Sequence, residues 1–163
     1  MVTGIERLKD YDLPITLSIS LHASNDAKRE EIMPINRKWN ISELLSACVD
    51  YYRATGRRIS FEYTLISGKN DSTADARALG ELLRGAFRGT GAPLHVNLIR
   101  VNEVKETGFK RGSAEEVNAF AKVLTDMGIV ATVRRRLGAD VNAACGQLRR
   151  SNMKKSEEKE DKN

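Results

Sequence analysis

Strand-like and helix-like segments alternate along most of this 163-residue chain, and that alternation most limits its fold. Four segments rich in Ile, Val, Leu, Phe and Tyr predict strands at 15–21, 58–66, 94–99 and 129–133. Amphipathic helices are predicted in the three intervals between them. The order β-α-β-α-β-α-β implies right-handed crossovers, and therefore an α/β fold with a parallel sheet and helices packed on it.

The three predicted helices share one kind of N-terminal signal, the capping box, in which an Asn or Ser cap is followed three residues later by an acid. The pairs are Asn40 with Glu43, Ser72 with Asp75, and Ser113 with Glu116. Cys48 lies on the apolar face of the first of these helices, so core packing is its predicted role.

Composition describes a globular chain, with 40% hydrophobic and 30% charged residues. No apolar run approaches a membrane span, and the first residues lack the apolar block of a signal peptide. Two cysteines make no disulfide framework, which favours a cytoplasmic setting. A folded region over 1–150 and a disordered charged tail over 151–163 are predicted. The net charge of +5 suits a phosphate-rich partner.

One cysteine stands in an unusual setting. Cys145 lies in the segment AACGQLR, among small residues, with arginines at 134–136 before it and at 149–150 after it. Because nearby positive charge lowers the pKa of a thiol and raises its thiolate fraction, this pattern favours a reactive nucleophile. The alternative is a buried spacer cysteine.

Polar segments follow three of the predicted strands, at 21–26, 66–71 and 99–104. Ligand groups gather at the carboxyl ends of parallel strands, so these loops are candidate ligand contacts. Asn70 and Asp71 could equally be simple turn formers. Glu62 lies inside a predicted strand, and the sequence assigns it no role.

Five co-linear segments carry a family resemblance. Together they resemble the C-terminal half of the radical S-adenosylmethionine RNA methyltransferases that methylate carbon 2 of adenine in 23S rRNA and tRNA. The segments lie at 18–26, 32–41, 56–72, 95–104 and 132–150. The resemblance implies about half of a (β/α)6 barrel of the TIM-like radical SAM type, with parallel strands and outer helices.

The same resemblance implies roles for particular residues. Cys145 matches the cysteine that receives a methyl group from one S-adenosylmethionine and carries it as S-methylcysteine. Ser20, Leu21 and His22 match a strand-end segment that contacts S-adenosylmethionine, and Asn102 matches a contact from a later strand. In the family, a second S-adenosylmethionine is cleaved at a [4Fe–4S] cluster, and the resulting radical activates the methylated cysteine.

The chain departs from the family at the cluster. Family members hold it with three cysteines in a C-x-x-x-C-x-x-C motif, whereas this chain has two cysteines in total and no such motif. We therefore expect the cluster in the full-length parent only, and a fragment that is catalytically silent alone. A half barrel leaves a strand edge open, which predicts self-association or aggregation.

Two other functions remain open. The parent could belong to the sister branch that methylates carbon 8 of the same adenine and confers antibiotic resistance. The chain could also be a non-catalytic RNA-binding module that contacts phosphates through its basic side chains. Its aromatic content of 6% offers few platforms for stacking bases. The basic residues concerned are Lys110, Arg111, Arg134, Arg135, Arg136, Arg149 and Arg150.

Overall fold

The computed structural model of the chain describes residues 2–11, 13–101 and 112–134. The described strands form one parallel sheet in the order β1-β2-β3-β4. Every predicted strand is confirmed, with ends within one residue of the predicted range or inside it. The strands are β1 (Leu17–Ser20), β2 (Ile59–Leu65), β3 (His95–Arg100) and β4 (Val130–Val133).

The order of the strands in the sheet is the order found in (β/α) barrels. Each successive strand is added on the same side of the previous one, so successive right-handed crossovers place their helices on one face of the sheet. The opposite face is left for the interior of a curved sheet, as in (β/α) barrels. The predicted α/β partial-barrel fold is therefore confirmed.

The helices include the three that were predicted and two that were not. All the described helices are α1 (Val2–Leu8), α2 (Asp26–Ile32), α3 (Ile41–Thr55), α4 (Thr73–Ala86) and α5 (Ala114–Asp126), with a 3-10 turn at Pro34–Arg37. Helices α1 and α2 have only 7 residues each, too few to show a clear apolar period. The start of α2 occupies the end of the predicted loop 21–26.

All three capping boxes are present with both hydrogen bonds. At α3, the Glu43 amide donates to Asn40 Oδ1 at 2.9 Å, and the Asn40 amide donates to Glu43 Oε2 at 3.0 Å. The Ser72 and Ser113 boxes repeat this reciprocal pattern at α4 and α5. Each box supplies partners for amides that the helix itself leaves unpaired, which fixes the start of each helix.

The core lies between the sheet and its helices. Alternate β2 side chains face it, and Phe61 and Tyr63 pack against Phe87 and Phe120 with ring centroids 5.8 Å and 5.1 Å apart. Cys48 is fully buried in the same core, so its predicted packing role is confirmed. Burial raises the pKa of the Cys48 thiol to about 12, which makes it a poor nucleophile. None of the described helices is long and apolar enough to cross a membrane.

Exposed apolar side chains lie at both sides of the described sheet, just before β1 and on β4. Tyr11, Leu13 and Ile15 precede β1 and are exposed, and Val130 and Val133 are exposed on β4. Within the described residues, β1 and β4 each pair with one neighbour only. An open, apolar strand edge is a template for pairing with another chain.

We expect the isolated chain to self-associate through these edges. Sedimentation velocity at tens of micromolar should show dimers or larger species, and lysine at both Val130 and Val133 should shift the distribution towards monomer. Ala119→Lys, on the exposed face of α5, is the matched control and should leave the distribution unchanged. A well-behaved wild-type monomer would contradict this expectation.

Candidate functional site

The segment Ser20–Leu21–His22 continues from β1 along the carboxyl edge of the sheet. The amides of Leu21 and His22 both donate to the Glu62 carbonyl of β2, at 3.0 Å and 3.2 Å. The segment is thereby held against the neighbouring strand after the regular ladder has ended. Its position at this edge is where parallel sheets bind ligands.

His22 adopts a left-handed backbone conformation, with φ of 60°. This conformation is uncommon for a residue other than glycine and is held here by three hydrogen bonds. Besides its amide bond to Glu62, His22 accepts at its carbonyl from Asn70 Nδ2 at 2.8 Å. Its ring Nδ1 accepts from the Thr64 amide at 3.0 Å.

The Thr64 contact settles which ring nitrogen of His22 carries the proton. Because a backbone amide can only donate, Nδ1 must be the acceptor and Nε2 must carry the hydrogen in the neutral ring. Burial, with a smaller effect from the Arg29 charge, lowers the pKa of His22 to about 4. Near neutral pH the side chain is therefore an uncharged hydrogen-bond donor through Nε2.

A fully buried cation, Arg29 of α2, lies beneath this segment. Its guanidinium donates to the carbonyls of Leu21 at 3.1 Å, Ser20 at 3.2 Å and Trp39 at 3.2 Å. A fourth bond runs to Asn36 Oδ1 at 2.7 Å. All four acceptors are neutral oxygens, so the charge is solvated by dipoles that also fix the course of the strand end.

Asn70 ties the second predicted ligand loop to the first. Its Oδ1 accepts from the Ile66 amide at 2.7 Å, and its Nδ2 donates to the carbonyls of Thr64 and His22, both at 2.8 Å. The residue is fully buried. Its amide is therefore occupied within the protein, and of the two interpretations of Asn70 the structural one fits the geometry.

Leu21 presents only its backbone at this edge of the sheet, where its amide donates to Glu62 and its carbonyl accepts from Arg29. Its side chain is fully buried in the core. Ser20 is half-buried at the end of β1, and its register partner on β2 is Glu62. The three predicted S-adenosylmethionine contacts therefore lie together, with Ser20 and His22 as the two whose side chains stay partly exposed.

The remaining predicted site residues, Asn102 and Cys145, lie outside the described residues, as does the tail over 151–163. Arg134 is described: it is exposed beyond β4, and its amide donates to the Leu98 carbonyl at 2.9 Å. Across residues 2–11, 13–101 and 112–134, no group of three His, Cys, Asp or Glu side chains could hold a metal ion.

A surface cavity of about 520 Å³ lies elsewhere, beside the C-terminal half of α4 and the approach to β3. Its lining includes Arg84, Arg88, Leu94 and Met127. Leu94 precedes β3, so this cavity is at the amino ends of the strands, away from the Ser20–His22 segment.

Sequence comparison finds close relatives along nearly the whole chain. The chain is 54% identical over 157 residues to a probable dual-specificity RNA methyltransferase RlmN of Clostridium botulinum (strain Eklund 17B / Type B). A Clostridium perfringens (strain SM101 / Type A) protein of the same name is 51% identical over 154 residues. The resemblance to the radical SAM RNA methyltransferases is confirmed. These matches take in 96% and 94% of this chain, but 44% and 43% of the two relatives.

Solved structures agree with the sequence comparison. A radical SAM methyltransferase from Sphaerobacter thermophilus superposes with a TM-score of 0.82 at 46% identity, over 90% of this chain and 41% of that one. A domain of a pyruvate-formate lyase-activating enzyme from Bacteroides vulgatus shares the fold alone, with a TM-score of 0.61 at 17% identity. No protein-family model matches the chain.

The chemistry implied by the relatives fits this chain in part. S-adenosylmethionine needs hydrogen-bond donors and acceptors at the carboxyl edge of the sheet, and the Ser20–His22 segment offers them. A [4Fe–4S] cluster with an open iron needs three thiolates. The sequence holds two cysteines, and one of them, Cys48, is buried in the core, where the pKa of its thiol is raised. The residues of this chain do not fit the cluster.

Sequence reasoning missed Arg29. It stands in the charged run DAKREE, where composition indicates a solvated helix face. No local pattern marks it as buried, because α2 is too short to show an apolar period and the acceptors of Arg29 lie 7 to 10 residues away in the sequence.

We expect Arg29→Met to lower the free energy of unfolding by about 3 kcal/mol, because it leaves buried carbonyls without a donor. Arg29→Lys should lose about 2 kcal/mol, since an ammonium group cannot reach the same four acceptors. Urea unfolding measures both. Arg37→Met is the control: Arg37 forms only an exposed pair with Glu30, so its loss should cost less than about 1 kcal/mol. Equal costs at Arg29 and Arg37 would contradict the role given to Arg29.

His22 predicts an acid-sensitive stability. Its pKa in the folded chain is about 4, below the ordinary value of 6.5, so the unfolded chain binds the proton first as pH falls. The contribution of His22 to the free energy of unfolding is therefore complete above pH 6.5 and is lost as pH falls towards 4. The loss is about 3 kcal/mol over that window. Urea unfolding of wild type and His22→Asn should show this pH dependence in wild type and a weaker one in the variant. Asn tolerates the left-handed conformation and does not titrate. Identical pH profiles would refute the assignment.

Proposed function

We propose that this chain supplies part of the S-adenosylmethionine site, and the methyl-carrying cysteine, of an RNA methyltransferase that acts on carbon 2 of adenine in 23S rRNA and tRNA. The observation that supports this best is the Ser20–His22 segment. It is fixed by hydrogen bonds at the carboxyl edge of a half barrel, in a chain 54% identical to a relative named as a dual-specificity RNA methyltransferase.

Ser20, Leu21, His22 and Asn102 would hold S-adenosylmethionine. His22 offers an uncharged Nε2–H, which can donate to a carboxylate or ring nitrogen without adding positive charge beside the sulfonium. Ser20 offers a hydroxyl that donates and accepts. When bound, S-adenosylmethionine supplies an electrophilic methyl group. The hydrogen bonds that fix the loop reduce the conformational freedom it would lose on binding, which favours binding.

Cys145 would take that methyl group. Its thiol loses a proton to solvent, the thiolate sulfur forms a bond to the methyl carbon, and the bond from that carbon to the sulfonium sulfur breaks. S-adenosylhomocysteine leaves with the electron pair of the broken bond. The arginines near Cys145 in the sequence, at 134–136 and 149–150, would favour the thiolate over the thiol.

Activation of the methylated cysteine requires a [4Fe–4S] cluster with three thiolate ligands, and this chain does not have them. The isolated chain should therefore leave RNA unmethylated. The RNA substrate is proposed from the names of the relatives and from the net charge of +5. Carbon 2 is proposed over carbon 8 from the sequence resemblance.

A chimera tests the proposal. This chain would replace the matching segment of the Clostridium botulinum relative, and adenosine from the RNA of cells lacking their own enzyme would be analysed by mass spectrometry. We expect 2-methyladenosine from the chimera, at least about a thousandfold less from its Cys145→Ala variant, and none from the isolated chain.

Cys48→Ala is the matched control, because Cys48 is buried in the core and should be dispensable for the reaction. Formation of 8-methyladenosine would overturn the carbon-2 assignment. Full activity of the Cys145→Ala chimera would overturn the methyl-carrier role. An inactive but folded chimera, together with salt-sensitive RNA binding by the isolated chain, would favour the RNA-binding module.

A further inference from the structure

A polar row crosses the face of the sheet that points away from the helices. Ser20, Glu62, Asn97 and Thr132 are successive register partners on β1, β2, β3 and β4. Side chains alternate between the two faces of a strand, and the flanking positions on β1, β2 and β3 are buried core residues. Four polar residues in register on the inner face of a half barrel are therefore a built feature of its interior.

Hydrogen bonds fix the orientation of this row. Asn97 Nδ2 donates to Glu62 Oε1 and Oε2, at 3.2 Å and 3.0 Å. A carboxylate only accepts, so the NH2 group of Asn97 must face Glu62 and its Oδ1 must face the other way. Thr132 Oγ1 donates to that Oδ1 at 3.3 Å.

The chain of bonds extends through a histidine. His95 Nε2 lies 3.1 Å from Thr132 Oγ1, and its Nδ1 lies 2.8 Å from Ser60 Oγ. Since the Thr132 hydrogen is directed at Asn97, Thr132 accepts from His95 Nε2–H, and Nδ1 accepts from the Ser60 hydroxyl. Burial lowers the pKa of His95, which keeps the ring neutral as this pattern requires.

Every donor in this series points towards Glu62, and the series ends there. The carboxylate has about four lone-pair sites, and among the described residues Asn97 Nδ2 is the one side-chain donor that contacts it. Glu62 is only half-buried, and no Lys or Arg within the described part of the chain forms an ion pair with it. A fixed carboxylate with acceptor sites that no described residue fills is suited to a ligand with paired donors.

Glu62 also adjoins the proposed S-adenosylmethionine segment. Its carbonyl accepts from the amides of Leu21 and His22, and its side chain lies beside Ser20 in register. Register partners on adjacent strands lie about 5 Å apart, so a ligand contacting Ser20 is within reach of the Glu62 carboxylate.

We propose that Glu62 binds the ribose of an adenosyl ligand, with its two carboxylate oxygens accepting from the 2′ and 3′ hydroxyls. This inference rests on the proposed function. Dinucleotide-binding folds use the same kind of contact, in which an Asp or Glu carboxylate accepts from the ribose 2′ hydroxyl. Both S-adenosylmethionine and an RNA nucleotide carry ribose, and the experiment distinguishes these two sources.

The test compares ligands that differ by one hydroxyl group. Calorimetry would measure the binding of S-adenosylmethionine and of its 2′-deoxy counterpart to the full chain and to Glu62→Gln. Wild type should bind the deoxy ligand about tenfold more weakly, because one charge-assisted hydrogen bond is lost. Glu62→Gln should bind S-adenosylmethionine about tenfold more weakly than wild type and should barely distinguish the two ligands.

A second arm uses an adenosine-containing oligoribonucleotide and the same oligonucleotide with one 2′-deoxyadenosine. If removal of the 2′ hydroxyl weakens the binding of S-adenosylmethionine only when Glu62 is present, the contact is to S-adenosylmethionine. If this Glu62-dependent loss of affinity occurs with the oligonucleotide alone, the contact is to the RNA ribose. The proposal is overturned if Glu62→Gln still distinguishes the ribose ligand from its 2′-deoxy counterpart. It is also overturned if the wild-type chain binds neither S-adenosylmethionine nor the oligoribonucleotide.

Glu115→Gln is the matched control, since Glu115 is exposed on α5 and should leave every affinity unchanged. Thermal melting of Glu62→Gln and of Glu62→Asp checks that the sheet is intact, and Glu62→Asp should recover part of the discrimination. The two proposals are tested separately. An inactive chimera would overturn the proposed reaction, whereas a Glu62-dependent loss of affinity for the 2′-deoxy ligand would still support the ribose contact.

Discussion

The buried guanidinium of Arg29 is the interaction on which the arrangement of the site depends. It donates to the carbonyls of Ser20, Leu21 and Trp39 the hydrogen bonds that water would supply at an exposed site. It also donates to Asn36 Oδ1. A planar group with five donors can serve four acceptors that point at it from different segments, which an ammonium group cannot do. The end of β1, helix α2 and the 3-10 turn are thereby fixed around one charge.

The two faces of the sheet differ in polarity: one packs on the helices, and the other carries residues that we propose bind ligand. The face packed on the helices is apolar, with Phe61 and Tyr63 at its centre. The other face carries the polar row that includes Glu62 and Asn97, whose hydrogen bonds run across the strands. In a barrel, this second face lines the interior, where ligands bind at the carboxyl ends of the strands.

The strands, the three long helices and their capping boxes could be predicted from the sequence because each has a local signal: a β-branched run, an apolar period or a cap. Helix α1 lacks such a signal, and α2 has one only in its cap, where the Lys28 amide donates to Asn25 Oδ1; both helices are two turns long. The position of the Ser20–His22 segment was predicted from a family resemblance, yet its conformation was not. The left-handed His22 depends on Thr64 and Asn70, which are distant in sequence. Glu62 was visible only as a strand residue, because its partner Asn97 comes 35 positions later.

The Thr64 amide bonded to the His22 ring has a consequence for local dynamics. In most binding loops the backbone amides exchange with solvent through small local openings. Here the amides of Leu21, His22 and Thr64 are all closed by bonds between β2 and the loop. To open the loop, the chain must detach it from β2, so we expect these amides to exchange as slowly as those of the sheet. We therefore expect the loop proposed to contact S-adenosylmethionine to open as rarely as the core that supports it.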